Sequence, residues 1–150
     1  MHVVLVAPEI PQNTGSVGRL CVATGAMLHL IEPLGFLIDD RHVKRAGLDY
    51  WPHVRLAIHA SWEQFLAARP PGRLLFFAAR AERRHTDVQY RPDDLLVFGC
   101  ESRGLPPALL RAHADATYGI PIASPHVRSL NLATAVAVVL FEAQRQVHGW

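Results

Sequence analysis

Short apolar runs alternate along the chain with amphipathic or capped segments. The runs "VVLVA" (3–7), "MLHLIE" (27–32), "LLFFAA" (74–79), "LLVFG" (95–99) and "ATYGI" (116–120) are short and bounded by turn-forming residues, so each predicts a strand. Between them, the spacing of apolar positions predicts helices near 15–25, 39–46, 61–69, 106–114 and 130–147. Alternation of this kind predicts an α/β fold with a mainly parallel sheet flanked by helices. Local chemistry supports several helix starts: Asn13 or Thr14 can cap the first, Ser61 and Gln64 can form a capping box in "SWEQ", and Pro106 and Pro107 suit a first turn.

In an open α/β sheet, ligands bind outside the carboxyl ends of the strands. Here those ends run into polar or glycine-rich loops: "PEIPQNTG" after the first strand, "RAERRH" after the third, "CESRG" after the fourth and "PIASPHVRS" after the fifth. Four loops are therefore expected to meet at one crevice. The last helix enters it through "RSLN", where Arg128, Ser129 and Asn131 stand before an almost wholly apolar stretch. Polar side chains at a helix N-terminus cap its unpaired N–H groups or line a site.

At 150 residues the chain fits one domain spanning 1–150, and a domain of that size buries roughly 70% of the surface its unfolded chain exposes. Half the residues are apolar and 19% are charged, which is ordinary for a globular protein and unlike disorder. Neither a signal peptide nor a membrane span is expected: the N-terminal apolar run stops at Pro8, and the last helix is too short to span. Two cysteines, Cys21 and Cys100, without a CxxC pattern point to a reducing cytoplasm. The formal net charge of +2 does not by itself announce a nucleic-acid partner.

No GxGxxG and no GxxxxGK[ST] occurs, which disfavours dinucleotide-dependent dehydrogenases and P-loop kinases. The stretch "GSVG" (15–18) fits the GxxG loop of KH domains but lacks basic residues inside it. In "LVFGCESRGLP" (96–106), Gly99 permits a flat ligand to approach the backbone, and a tight turn closed by Gly104 crowds Cys100, Glu101, Ser102 and Arg103 together. A nucleophilic Cys100 would need a nearby base, and no histidine forms a recognisable triad or metal spacing, so a small hydrolase is the weakest reading and no metal is expected. Arg80, Arg83 and Arg84 make the one dense basic cluster; at the mouth of the crevice they are candidate phosphate contacts.

Taken together, "EIPQNTGSVGRLCVATG", "LVFGCESRGLP" and "IPIASPHVRSLNLATAVAVVLFEA" resemble the three ordered motifs of the SPOUT superfamily, in its SpoU-type branch of RNA ribose 2′-O-methyltransferases. The further segments "LHLIEPLGF" and "RAGLDYW" are similar to those of small stand-alone enzymes that methylate the wobble nucleotide of the tRNA anticodon. The resemblance implies S-adenosyl-L-methionine as methyl donor, a deep C-terminal trefoil knot, a homodimer with the active site at its interface, and the anticodon stem-loop of tRNA as substrate. Carried over by position, it implies that Phe77, Ala78, Ala79, Gly99, Glu101, Gly104, Ile120, Ile122, Ser129 and Leu130 hold the cofactor. Asn13, Arg19, Glu101, Arg128 and Asn131 then form the catalytic set, with Arg19 stabilising the developing charge and Glu101 orienting Arg19 or accepting a proton.

Three departures from the family pattern stand out: Phe141 where Tyr is common, Arg80 where Lys is common, and an "IPIASPHVRS" loop one residue longer than usual. Two other readings follow from the same resemblance, a catalytically silent RNA-binding dimer and a methyltransferase for another RNA such as rRNA.

Overall fold

The computed structural model describes residues 1–37 and 49–150. Seven strands form one sheet: β1 (His2–Val6), β2 (Met27–Ile31), β3 (Leu56–His59), β4 (Leu74–Phe77), β5 (Arg83–Arg84), β6 (Leu95–Phe98) and β7 (Thr117–Gly119). Their order across the sheet is β3-β2-β1-β6-β4-β7-β5, and every pairing is parallel. Helices α1 (Pro11–Thr24), α2 (Trp62–Ala68), α3 (Pro107–Ala112) and α4 (Leu132–His148) connect or follow the strands.

The central strands are apolar on both faces because both faces are covered. On one side Val3, Leu5, Leu28, Leu30, Leu96 and Phe98 meet Val17 and Cys21 of α1 and Val136, Val139, Leu140 and Ala143 of α4. On the other, Val4, Val6, Phe76, Leu95 and Val97 meet Phe65 of α2 and Leu105. This division follows the period of two along each strand.

Each of the five strands expected from the apolar runs is present within a residue or two. The additional β3 is a sheet-edge strand of half-exposed residues, and β5 is a two-residue edge strand. The helix expected near 39–46 lies outside the described residues. Helix α1 begins earlier than expected, with Pro11 in its first turn and Ile10 at the cap, so neither Asn13 nor Thr14 caps it. Within α1 the "GSVG" stretch is regular helix, not a clamp loop; Gly18 is there because a Cβ would stand 2.7 Å from the Trp51 ring. Ser61 caps α2 as expected, accepting from Gln64 N, while Gln64 reaches back to the Ala60 N–H.

After β4 the chain runs to the far edge as β5, returns between β1 and β4 as β6, and goes out again as β7. It then crosses back through residues 120–131 to α4, which packs on α1 and β6. That route brings the ends of β1, β4, β6 and β7 together.

Candidate active site

The loops following β1, β4, β6 and β7 line one cavity of about 620 Å³. Phe77, Ala78, Ala79 and Arg80 come from the end of β4, Gly99, Glu101 and Gly104 from the loop after β6, and Asn13 from α1. Ile120, Ile122, Arg128, Ser129, Leu130 and Asn131 complete it from the segment between β7 and α4. Every expected catalytic or cofactor residue except Arg19 is therefore at this cavity.

The wall formed by the loops after β1 and β6 is tied by reciprocal bonds. Glu101 accepts from the backbone N–H of Glu9 at 2.7 Å and of Ile10 at 3.2 Å, and from Asn13 Nδ2 at 3.0 Å. In return, the Glu9 carboxylate accepts from the Ser102 N–H at 2.9 Å and from its hydroxyl at 2.8 Å. Those bonds from Ser102 hold the Glu9 carboxyl below its ordinary pKa. Ala7, leaving β1, sits in the left-handed region at φ 51° and is fixed by its N–H to the Ile31 carbonyl, 2.9 Å.

Asn131 answers the question of the polar helix mouth, because its two ends do different work. Its Oδ1 accepts from Ala133 N at 2.9 Å and Thr134 N at 3.3 Å, capping α4, while its Nδ2 donates to Asn13 Oδ1 at 2.9 Å. Glu101, Asn13 and Asn131 thus form one chain of hydrogen bonds joining three segments far apart in sequence.

Among the described residues of this chain Glu101 has no hydrogen bond or ion pair with Arg19; it accepts from three donors of its own chain, which ties the loop after β1 to the loop after β6. Gly99 lines the cavity and also leaves room for the chain itself, since a Cβ there would lie 2.0 Å from Gly104 C and 2.1 Å from Leu105 N. The loop folds back at that point, bridging Cys100 to Gly104, whose φ is 72°. Arg19 lies on the exposed side of α1, its guanidinium 4.5 Å from the centre of the Tyr50 ring, and Tyr50 in turn donates to the Gly15 carbonyl at 2.7 Å. Arg83 is exposed and donates to the Asp115 carbonyl, with its guanidinium 5.0 Å from the centre of the Tyr118 ring.

Cys100 lies on the cavity with its Sγ 3.6 Å from the Gly104 carbonyl, and among the described residues no histidine lines that cavity to act as its base. His113 stacks on Phe76 with ring centres 4.4 Å apart. Sequence reasoning missed Glu9 and Tyr50, and the pairing of Ser102 with Glu9. Glu9 and Ser102 are partners 93 positions apart, so no local spacing could have paired them.

The opposite wall is different in kind. Among the described residues, 121–130 make no backbone-to-backbone hydrogen bond; His126 N–H donates to Ser124 Oγ at 3.2 Å, Pro121 and Pro125 have no N–H, and most of the other polar backbone groups are open to a ligand. Apolar Phe98, Ile120, Ile122, Leu130 and Leu132 flank them. A cavity of this volume, with flat apolar walls and unpaired backbone groups, fits a nucleoside-bearing cofactor such as S-adenosylmethionine.

The model of the SpoU rRNA Methylase family matches residues 1–141. A tRNA (cytidine(34)-2′-O)-methyltransferase of Burkholderia pseudomallei (strain 1106a) is 51% identical over 148 residues, covering 97% of this chain and 94% of the relative. A solved structure described as giving insights into the 2-OH methylation of C/U34 on tRNA superposes with a TM-score of 0.92 at 51% identity, covering 99% of this chain and 97% of that one. The SpoU methyltransferase AviRb from Streptomyces viridochromogenes, solved in complex with AdoMet, superposes with a TM-score of 0.82 at 27% identity, covering 97% of this chain and 57% of that one. With the motifs gathered at one cavity and nearly the whole length matched, the chain belongs to the SpoU rRNA methylase family.

Proposed function

We infer that this chain is an S-adenosylmethionine-dependent tRNA 2′-O-methyltransferase acting on the ribose of the wobble nucleotide, cytidine or uridine. The observation that carries the reading is that the three motif segments meet in a single cavity, in a chain about half identical to enzymes named for this reaction. The cofactor supplies an electrophilic methyl group on a sulfonium, and the chain has to bind it, place the ribose and stabilise charge on the attacking 2′ oxygen.

Residues 77–79, 99–104 and 120–130 would hold the adenosine and methionine portions through backbone groups and apolar contact. Arg128 and Ser129 stand at the rim, where an incoming ribose would pass. The Glu101–Asn13–Asn131 chain keeps three segments in fixed relation, which is how a site maintains near-attack geometry. Arg19 stays protonated, so its role is electrostatic: to stabilise the developing alkoxide or position the hydroxyl.

Arg19 does not line its own chain's cavity, which favours a homodimer in which each protomer supplies it to the other. The outer surface of the α1–α4 layer carries exposed Val138 and Phe141 on α4 and Arg19 on α1. A two-fold contact through that layer would cover the apolar pair and bring Arg19 to the partner's cavity. The return of residues 120–131 past the loop after β6 supports a C-terminal trefoil knot. Arg80, Arg83 and Arg84 form the basic rim expected to meet the anticodon stem-loop, and the single domain is expected to work in the cytoplasm. No described helix is long and apolar enough to cross a membrane.

The test is methyl transfer from labelled S-adenosylmethionine to total tRNA of a strain lacking this activity, followed by nucleoside mapping. Label confined to the wobble ribose is the expected result. Cofactor binding without label in any tRNA would overturn the assignment.

A further inference from the structure

Beside the cofactor cavity lies a second one of about 410 Å³, enclosed by the loop after β4, the edge strand β5 and residues 119–128. Its lining carries Arg80, Arg83, Arg84 and Arg128 against a single acidic side chain, Glu82. Four guanidinium groups thus gather at one opening in a chain whose entire formal charge is +2. The outer wall is the loop that the resemblance marks as one residue longer than usual.

The four arginines are not equivalent. Arg83 is committed to the Asp115 carbonyl and stacks 5.0 Å from the Tyr118 ring centre, so it forms part of the wall. Among the described residues, the guanidinium groups of Arg80, Arg84 and Arg128 have no hydrogen bond or ion pair. Unpaired guanidinium forks clustered at a concave, partly apolar surface match the bidentate geometry of phosphate oxygens. Arg80 and Arg128 also line the cofactor cavity, so the two spaces share a wall.

We propose that this second cavity seats the nucleotide adjoining the methylated one, with its phosphodiester held by Arg84 and by the shared Arg80 and Arg128. The proposal rests on the RNA methyltransferase reading. A strand whose target ribose reaches the cofactor cavity continues across the shared wall, where its next phosphate meets three uncommitted positive charges. Recognition here is of backbone charge and not of base identity, so it sets placement of the strand.

The test uses anticodon stem-loop RNAs in which the phosphate on one or the other side of the target ribose is a neutral methylphosphonate. For the parent chain, one of the two substitutions is expected to raise KM tenfold or more (about 1.4 kcal/mol per factor of ten), as the charge-assisted contacts to that phosphate are lost together, with kcat within about twofold. Arg84→Ala should raise KM for unmodified RNA several-fold, leave S-adenosylmethionine binding unchanged, and show a smaller further rise with that methylphosphonate than the parent does, the remainder belonging to Arg80 and Arg128. Its log-log salt dependence should flatten by about 0.7, the value for one phosphate contact on a single strand. Arg84→Gln, which keeps more of the side chain, should behave alike, with both variants melting as the parent does. Methyl transfer by the parent with no effect of either methylphosphonate, or of Arg84 substitution, would overturn this inference alone. Absence of transfer by the parent would overturn the reading beneath it as well.

Discussion

The two walls of the cofactor cavity are built on opposite principles. The wall made by the loops after β1 and β6 is tied by side chain to backbone bonds running both ways, Glu101 to Glu9 and Ile10, and Glu9 to Ser102. The wall made by residues 121–130 has no backbone pairing among the described residues. One side is complete before any ligand arrives, and the other holds unpaired polar groups that a ligand can pair. The difference teaches that a cofactor site need not be pre-paired throughout: tying the side that sets geometry leaves the other side free to admit the cofactor.

The sharpest way to break the tied wall is to fill the space at Gly99. Gly99→Ala puts a Cβ within 2.0 to 2.3 Å of the Gly104–Leu105 backbone, and should cost more than about 4 kcal/mol or prevent folding. Gly104→Ala meets no atom within 4 Å and violates only its φ of 72°, so it should cost about 1–2 kcal/mol. Urea unfolding of both variants separates crowding from backbone strain, and equal costs would refute the close-approach account.

Arg19 stands outside both walls. Arg19→Ala should lower kcat about 10²- to 10³-fold, the effect of removing one transition-state charge partner, while S-adenosylmethionine still binds with parental affinity by calorimetry. Joint loss of turnover and cofactor binding would make Arg19 a structural residue.

Glu101→Ala unties Glu9, Ile10 and Asn13 at once and should destabilise the fold by about 2–3 kcal/mol while weakening cofactor binding. Glu101→Gln keeps one acceptor oxygen and should fall between. A Glu101→Ala chain with parental stability and cofactor affinity would show that the tied wall does not set the cavity.

A smaller effect belongs to the far half of the sheet, where His2, His29 and His59 form a row with ring nitrogens 3.1 Å apart at each step. Burial pushes buried His29 down from 6.5 to about 4, and His2 and His59 shift the same way. Between those values the unfolded chain takes up a proton that the folded chain refuses, so stability falls as pH drops from 6.5 towards 4, by about 2–3 kcal/mol for His29. His29→Gln should flatten that dependence in urea titrations at pH 7 and pH 5 without moving cofactor affinity.

Much of the site was readable because its chemistry sits at the carboxyl ends of strongly apolar strands, as with "LVFGCESRG". The final helix was also legible, from the polar "RSLN" followed by an apolar face. Edge strands were not: Leu56–His59 is half exposed and too short to stand out, and Arg83–Arg84 looks like loop. Asn13 was misread as a cap because Pro11 starts α1 one turn early and frees its side chain for Glu101. Gly99 lines the cavity as its sequence setting suggests, but the close approach of the returning Gly104–Leu105 backbone is not legible there. Such roles depend on partners brought together by the crossing of β6 and α4, which no local spacing encodes.

The most direct test of the account is amide hydrogen exchange with and without S-adenosylmethionine. It predicts that amides of residues 9–13 and 99–105 exchange slowly in the free protein and change little on binding, whereas those of 122–130 exchange fast and become protected. Equal protection of both walls before binding, or no gain across 122–130 at saturating cofactor, would contradict it.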